Sequence, residues 1–321
     1  FNLYYPQKCK EFNVDLINLA AQQEPQFFAN SELDSVYQKL ASYHQNSSEQ
    51  NGSFVFKEGT ITDQEFLKNL FEEHHFDAVI HLAAMAGVPA STKNPKLYTE
   101  VNVNGTVNLL ELCQQKKVSK FVFGSSSSVY GNREDKKVTE DDKVSRAVSV
   151  YGATKVSGEV LCHAFHQIFG MNVVIARIFG PIYGPLQRPF GMFHQRMINH
   201  VHNNKDVSIY GRYGLDTAKD STYIDDQVAG LLLCLDKDFQ FEIFNIGTSD
   251  PLPIRTWIDS IEKAGHRKLG LTFVETDKAD VVSSADISKA KTLLGYLPQV
   301  GMYEGVKRQV EIFNLMPEWY K

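Results

Sequence analysis

Three short apolar runs stand out along the middle of the chain. They are Asp77-Ala78-Val79-Ile80-His81-Leu82-Ala83-Ala84, residues 119–125 around Phe121-Val122-Phe123-Gly124, and Val173-Val174 through Ile178. Each is nearly continuous rather than alternating, as expected of strands covered on both faces. Helical spacing separates them. Phe66, Leu67, Leu70 and Phe71 recur within 63–74 as the apolar stripe of an amphipathic helix. A second helix is predicted from near Asn102 to near Lys117, and a third over about 150–169. Strands that alternate with helices imply right-handed crossovers and a parallel sheet. Upstream, Ser53 to Gly59 reads as one more strand with a glycine stop. Residues around 7–20 and 32–42 have helical character, and Tyr43 to Ser53 forms a polar loop. Downstream, Val207 to Gly211 and Phe244 to Gly247 read as further strands.

Bulk properties narrow the class. A chain of 321 residues with 43% hydrophobic and 22% charged residues buries a large core in one or two domains. A net charge of −5 gives no reason to expect nucleic acid or an acidic membrane as partner. Cys9, Cys113, Cys162 and Cys234 are scattered without a C-x-x-C pair, which suggests reduced thiols and a cytoplasmic protein. No apolar run reaches the roughly 18 residues of a membrane span. Ten histidines show no zinc-binding spacing, so no metal is expected.

The candidate chemistry lies where the second apolar run ends. Ser125-Ser126-Ser127-Ser128-Val129-Tyr130-Gly131 is a cluster of hydroxyls, followed after a polar loop by Tyr151-Gly152-Ala153-Thr154-Lys155. A Tyr and a Lys four apart share a helix face. An ammonium beside a phenol favours the phenolate and should lower the Tyr151 pKa from about 10. Such a tyrosine, beside a serine hydroxyl, can take the proton of a substrate alcohol near neutral pH.

These segments resemble the active site of the extended short-chain dehydrogenase/reductase family, and among its members the UDP-glucuronate 4-epimerases. The likeness runs through Asn102-Val103-Asn104-Gly105-Thr106, Tyr183-Gly184-Pro185, Arg188-Pro189, Lys219 to Asp226, Phe244-Asn245-Ile246-Gly247, Lys278 to Val281 and Asp286 to Ala290. It implies an α/β fold: a Rossmann-like parallel sheet with a smaller C-terminal α+β substrate domain. The division would fall between 1–180 and 181–321, with a segment near 219–247 returning to the first domain. The resemblance further implies NAD as a recycled cofactor, a UDP-sugar substrate and a homodimer formed through the helices around 100–115 and 150–169. Ser126, Tyr151 and Lys155 would be catalytic. Leu82, Ala83, Ala84 and Tyr183, with Tyr151 and Lys155, would face the cofactor. Ser127, Ser128, Arg188, Lys219 and Asp280 would face the substrate, and Asn102 would support the site from behind.

The hydroxyl cluster separates the chemistries of the relatives. Dehydratases carry Thr-Asp-Glu-Val-Tyr-Gly and decarboxylases Thr-Ser-Glu-Val-Tyr-Gly, whereas this chain has Ser126-Ser127-Ser128-Val129-Tyr130-Gly131. Without a carboxylate there, oxidation and reduction at sugar C4, hence epimerisation, is favoured. A non-catalytic sugar-nucleotide-binding chain and a reductase of the same superfamily stay open. The family opens with strand, Gly-rich turn, helix and second strand, and this chain has no glycine before Gly52. About thirty residues of that fold, one βαβ unit in scale, have no counterpart here. The expectation is therefore a sheet lacking its first two strands, a gap of about 9.6 Å between its neighbours, and a chain that by itself folds poorly and binds NAD weakly. Thr60 where relatives carry Asp, Gly180 where they carry Thr or Asn, and Lys219 where they carry Arg point the same way.

Overall fold

Strand β1 (Ala78–His81), β2 (Lys120–Ser126), β3 (Val173–Ile178) and β4 (Phe241–Ile246) lie side by side in that order, all parallel. This computed structural model describes residue 39 and residues 55–132, 137–188, 192–210, 214–274, 284–318 and 321. Every residue of β2 is buried except Ser126 at its end, which is the double coverage that the apolar run implied.

Alternation along the strands sorts side chains between two layers of helices. Phe121, Phe123, Val173 and Ile175 pack with Leu110 and Cys113 of helix α2 (Gly105–Gln115) and Cys162 of helix α3 (Val150–Phe169). Val122, Val174, Phe244 and Ile246 pack on the opposite side, with Leu231 and Cys234 of helix α4 (Ile224–Asp236). A separate core gathers Tyr183, Met197, Tyr223, Trp257, Ile261 and Phe313 outside the sheet.

Local chemistry sets the helix ends. Asp63 caps helix α1 (Gln64–Glu73) by accepting from the Phe66 N–H at 3.0 Å. Ser149 caps α3 by accepting from the Gly152 N–H at 3.0 Å, and Gly170, with φ 69°, stops it in the left-handed region. The predicted helix over 150–169 is thus found with its ends in place. The helix expected from Asn102 begins as a π-helical turn, Glu100–Asn104, before α2.

One predicted strand is not there. Residues 55–60 form no strand, and no strand lies beside the outer edge of β1 among the described residues. A strand exists only by pairing, and an apolar run without a neighbour has no ladder to join. Between this segment and β1 lies a cavity of about 380 Å³, lined by Phe66, Phe71, Val79, His81 and Leu82 among others. Residues 1–38 and 40–54, with the helices and loop expected there, lie outside the described residues. Among the described residues no helix is long and apolar enough to cross a membrane.

Helix α3 reaches the sheet only because Gly158 has no side chain. A Cβ there would stand 2.3 Å from the Phe123 ring. Gly158→Ala is expected to destabilise the fold by about 1–3 kcal/mol through overpacking, read as a lower urea midpoint with an unchanged slope.

Candidate active site

The carboxyl end of a parallel sheet is where its loops diverge and a ligand can enter. Ser126 ends β2 there. It also starts the 3₁₀ turn Ser127–Tyr130, its hydroxyl accepting from the Ser128 N–H at 3.2 Å. Tyr151, in the first turn of α3, lies close enough to Ser126 for the serine hydroxyl to act on its pKa. Lys155, one turn further, is buried and donates to the Gly124 carbonyl at 2.6 Å. Its ammonium sits 5.1 Å from the centre of the Phe123 ring. Three residues from two segments of sequence thus meet at one strand end.

The electrostatics differ from the expectation in one respect. Burial raises the Tyr151 pKa, and the Ser126 hydroxyl and the Arg188 guanidinium draw it part of the way back. Lys155 is not the group that lowers it, because its ammonium is turned to the Gly124 carbonyl. Lys155 itself is pushed down to about 8 by burial, against the raising effect of Cys162 and Glu159.

The remaining predicted residues divide. Leu82 and Ala83 are exposed just beyond β1, and Ala84 is half-buried. Ser127 and Ser128 are half-buried in the turn after Ser126, with Ser126 Oγ and Ser128 Oγ 3.2 Å apart. Arg188 and Lys219 line one cavity of about 420 Å³, whose wall includes Val88, Phe193, Leu252 and Trp257. Tyr183 is buried in the outer core. It pairs in register with Tyr223 and buries its ring against Trp257 and His194, at centroid distances of 4.9 and 5.0 Å. Its motif lies at the expected place in the chain, but the ring is turned into the outer core. Asp280 lies outside the described residues.

Asn102 is the support that its motif suggested. It accepts from the Met85 N–H at 2.7 Å and donates to the Met85 carbonyl at 3.0 Å and to Thr154 Oγ1 at 2.9 Å. One side chain thereby ties the segment after β1 to the helix turn carrying Lys155. The Asp220 motif, by contrast, fastens loops: its carboxylate accepts from the N–H groups of Thr248, Ser249 and Ala285.

Two buried residues escaped the sequence reading. Glu159 and Arg177 form a bidentate pair, with Nε–Oε1 at 3.0 Å and Nη2–Oε2 at 2.8 Å. The available signals were a Glu four residues after Lys155 and an Arg inside an apolar strand.

The small side chains after β1 and a buried ammonium one turn from Tyr151 fit the nicotinamide riboside of NAD in shape and donor chemistry. That fit covers the nicotinamide half, since the chain carries no Gly-rich phosphate turn. A parallel sheet with a Ser–Tyr–Lys set at its carboxyl edge defines the short-chain dehydrogenase/reductase class. Residues 16–247 match the NAD dependent epimerase/dehydratase family, and the chain belongs to it. A UDP-glucuronate 4-epimerase of Thermodesulfobacterium geofontis is 39% identical over 267 residues, 83% of this chain and 81% of that protein. The crystal structure of UDP-glucuronic acid 4-epimerase from Bacillus cereus, in complex with UDP-glucuronic acid and NAD, superposes with a TM-score of 0.73. It is 33% identical and covers 88% of this chain and 87% of its own. UDP-glucose 4-epimerase of Thermotoga maritima, with UDP-glucose, gives a TM-score of 0.76 at 28% identity, covering 89% of this chain and 96% of that one.

Burying Lys155 has a pH signature. Below pH 8 both folded and unfolded states hold its proton, and the native state carries the full penalty of a pKa moved from 10.5 to about 8. That penalty is about 3 kcal/mol. Between those pH values only the unfolded state keeps the proton, so this group's contribution to stability rises with pH and the penalty is gone above 10.5. Lys155→Met is therefore expected to gain stability over the parent at pH 7, and most of that gain should vanish by pH 10. Urea unfolding of both proteins at the two pH values measures it; a difference independent of pH would contradict it.

Proposed function

We propose that this chain is an NAD-dependent 4-epimerase that interconverts UDP-glucuronate and UDP-galacturonate. The observation that carries the reading is Ser126 beside Tyr151 with Lys155 one turn away, and no carboxylate at Ser127 or Ser128 to drive elimination. The names of the relatives support the uronate. Arg188 lines the cavity and is near enough to Tyr151 to act on its charge. This supports a proton-handling role for Tyr151 near a chamber lined by Arg188 and Lys219, two cations suited to a diphosphate or carboxylate.

In this reading Tyr151 takes the proton of the sugar C4 hydroxyl and later returns one. Ser126 donates a hydrogen bond to the same oxygen. Lys155 would hold the ribose hydroxyls of NAD, and Leu82, Ala83 and Ala84 would line its seat. Bound NAD supplies the hydride acceptor and donor that inversion at C4 requires. Ser127 and Ser128 hold the C5 carboxylate, which keeps a β-keto acid from losing carbon dioxide. The work divides near residue 180, and Phe241–Ile246 returns to the main sheet as β4.

We place the enzyme in the cytoplasm as a homodimer. Helix α3 supports the dimer by exposing Val160, Ile168 and Phe169, an apolar set that a second copy would cover.

Incubation with UDP-glucuronate and NAD⁺ is expected to form UDP-galacturonate with no net NADH. Tyr151→Phe should lower kcat by at least about 10²-fold. Arg188→Ala and Lys219→Ala should each raise KM about tenfold, the equivalent of about 1.4 kcal/mol of binding. Net NADH would instead indicate a dehydrogenase. Turnover by Tyr151→Phe equal to the parent's would overturn the catalytic assignment.

A further inference from the structure

Ser125, Arg177 and Asn245 stand in register across β2, β3 and β4, one residue before the sheet's carboxyl edge on β2. All three are buried. Glu159 descends from α3 onto this row, accepting from Ser125 Oγ at 2.5 Å and from Arg177 at two points. Arg177 reaches on to the Tyr130 hydroxyl at 2.9 Å and the Glu140 carbonyl at 3.0 Å. The Tyr130 hydroxyl donates to Asn245 Oδ1 at 2.6 Å. The cluster therefore joins three strands, the turn after Ser126 and the helix that carries Tyr151 and Lys155.

We propose that Glu159 and Arg177 are positioning residues that hold the Ser126 turn against the Tyr151–Lys155 face of α3. The proposal rests on the epimerase reading for its kinetic consequence only. Ser125 is the chain neighbour of Ser126, Glu159 lies one turn beyond Lys155, and Tyr130 closes the 3₁₀ turn that Ser126 begins. A helix sliding along the sheet would part Tyr151 from Ser126, and the bonds from Ser125 and Arg177 to Glu159 oppose the slide. A buried pair is not needed for stability as such, since apolar residues of similar volume often replace one without loss. Its presence beside Ser126, Tyr151 and Lys155 is what a geometric role explains.

Glu159→Gln alone strands the Arg177 charge and is expected to unfold easily. The decisive protein is therefore the apolar replacement Ser125→Ala, Glu159→Leu and Arg177→Met combined. It is expected to melt within about 3 °C of the parent and to keep the parent KM for UDP-glucuronate. Its kcat should fall about 10²-fold, the effect of a misplacement near 1 Å. Amides of residues 126–130 and 150–155 should exchange about tenfold faster, with exchange elsewhere unchanged. A replacement that recovers kcat along with stability, or leaves that local exchange at parent rates, overturns the proposal. If the parent itself does not turn over, the epimerase reading fails and the exchange measurement alone decides this one.

Discussion

The approach of α3 to the end of β2 is the constraint on which the site depends. Tyr151 and Lys155 face the sheet from one helix, and Ser126 meets them from a strand. Nothing in either element by itself brings a phenol, a hydroxyl and an ammonium together. The close contact at Gly158 and Phe123 sets how near the helix comes. The Ser149 cap sets where it starts, and so which residues stand in its first turn.

Burial is the physical price of that arrangement. It pushes the Tyr151 pKa up and the Lys155 pKa down, each away from the charged form. Ser126 offsets part of this for the phenol, and Cys162 and Glu159 do so for the ammonium, which donates to the Gly124 carbonyl. The same logic extends one layer outward. Asn102 satisfies Met85 and Thr154, and Glu159 neutralises Arg177 in a region without solvent. Asn102, Glu159 and Arg177 beneath the site are thus paired, as buried polar groups must be if they are not to cost stability.

Much of this was legible before the structure. Continuous apolar runs located three of the four strands because both faces of the sheet are covered. The helix over 150–169 could be read to its ends because a capping Ser149 and a stopping Gly170 bracket it. The hydroxyl cluster and the Tyr–Lys spacing pointed to residues that the fold brings to one strand end. What periodicity does not encode is pairing. Ser53 to Gly59 reads as a strand in pattern, but its described part, residues 55–59, pairs with no strand among the described residues. The position of Tyr183 in its motif could not say that its ring turns into the outer core. Glu159 and Arg177 are 18 residues apart on different elements, and their partnership exists only once helix and sheet are packed. The direction of the Tyr151 shift was misjudged for a similar reason. Spacing puts Lys155 on the same face, but the Gly124 carbonyl competes for its ammonium.

The central claim is that the Ser126–Tyr151–Lys155 edge serves a redox inversion confined to one carbon. The most direct measurement follows deuterium at that carbon. With UDP-glucuronate labelled at C4, the account predicts that the UDP-galacturonate formed keeps the deuterium at C4, with none released to water. Loss of the label to solvent would mean that the C4 bond is broken as a proton, and would contradict the account.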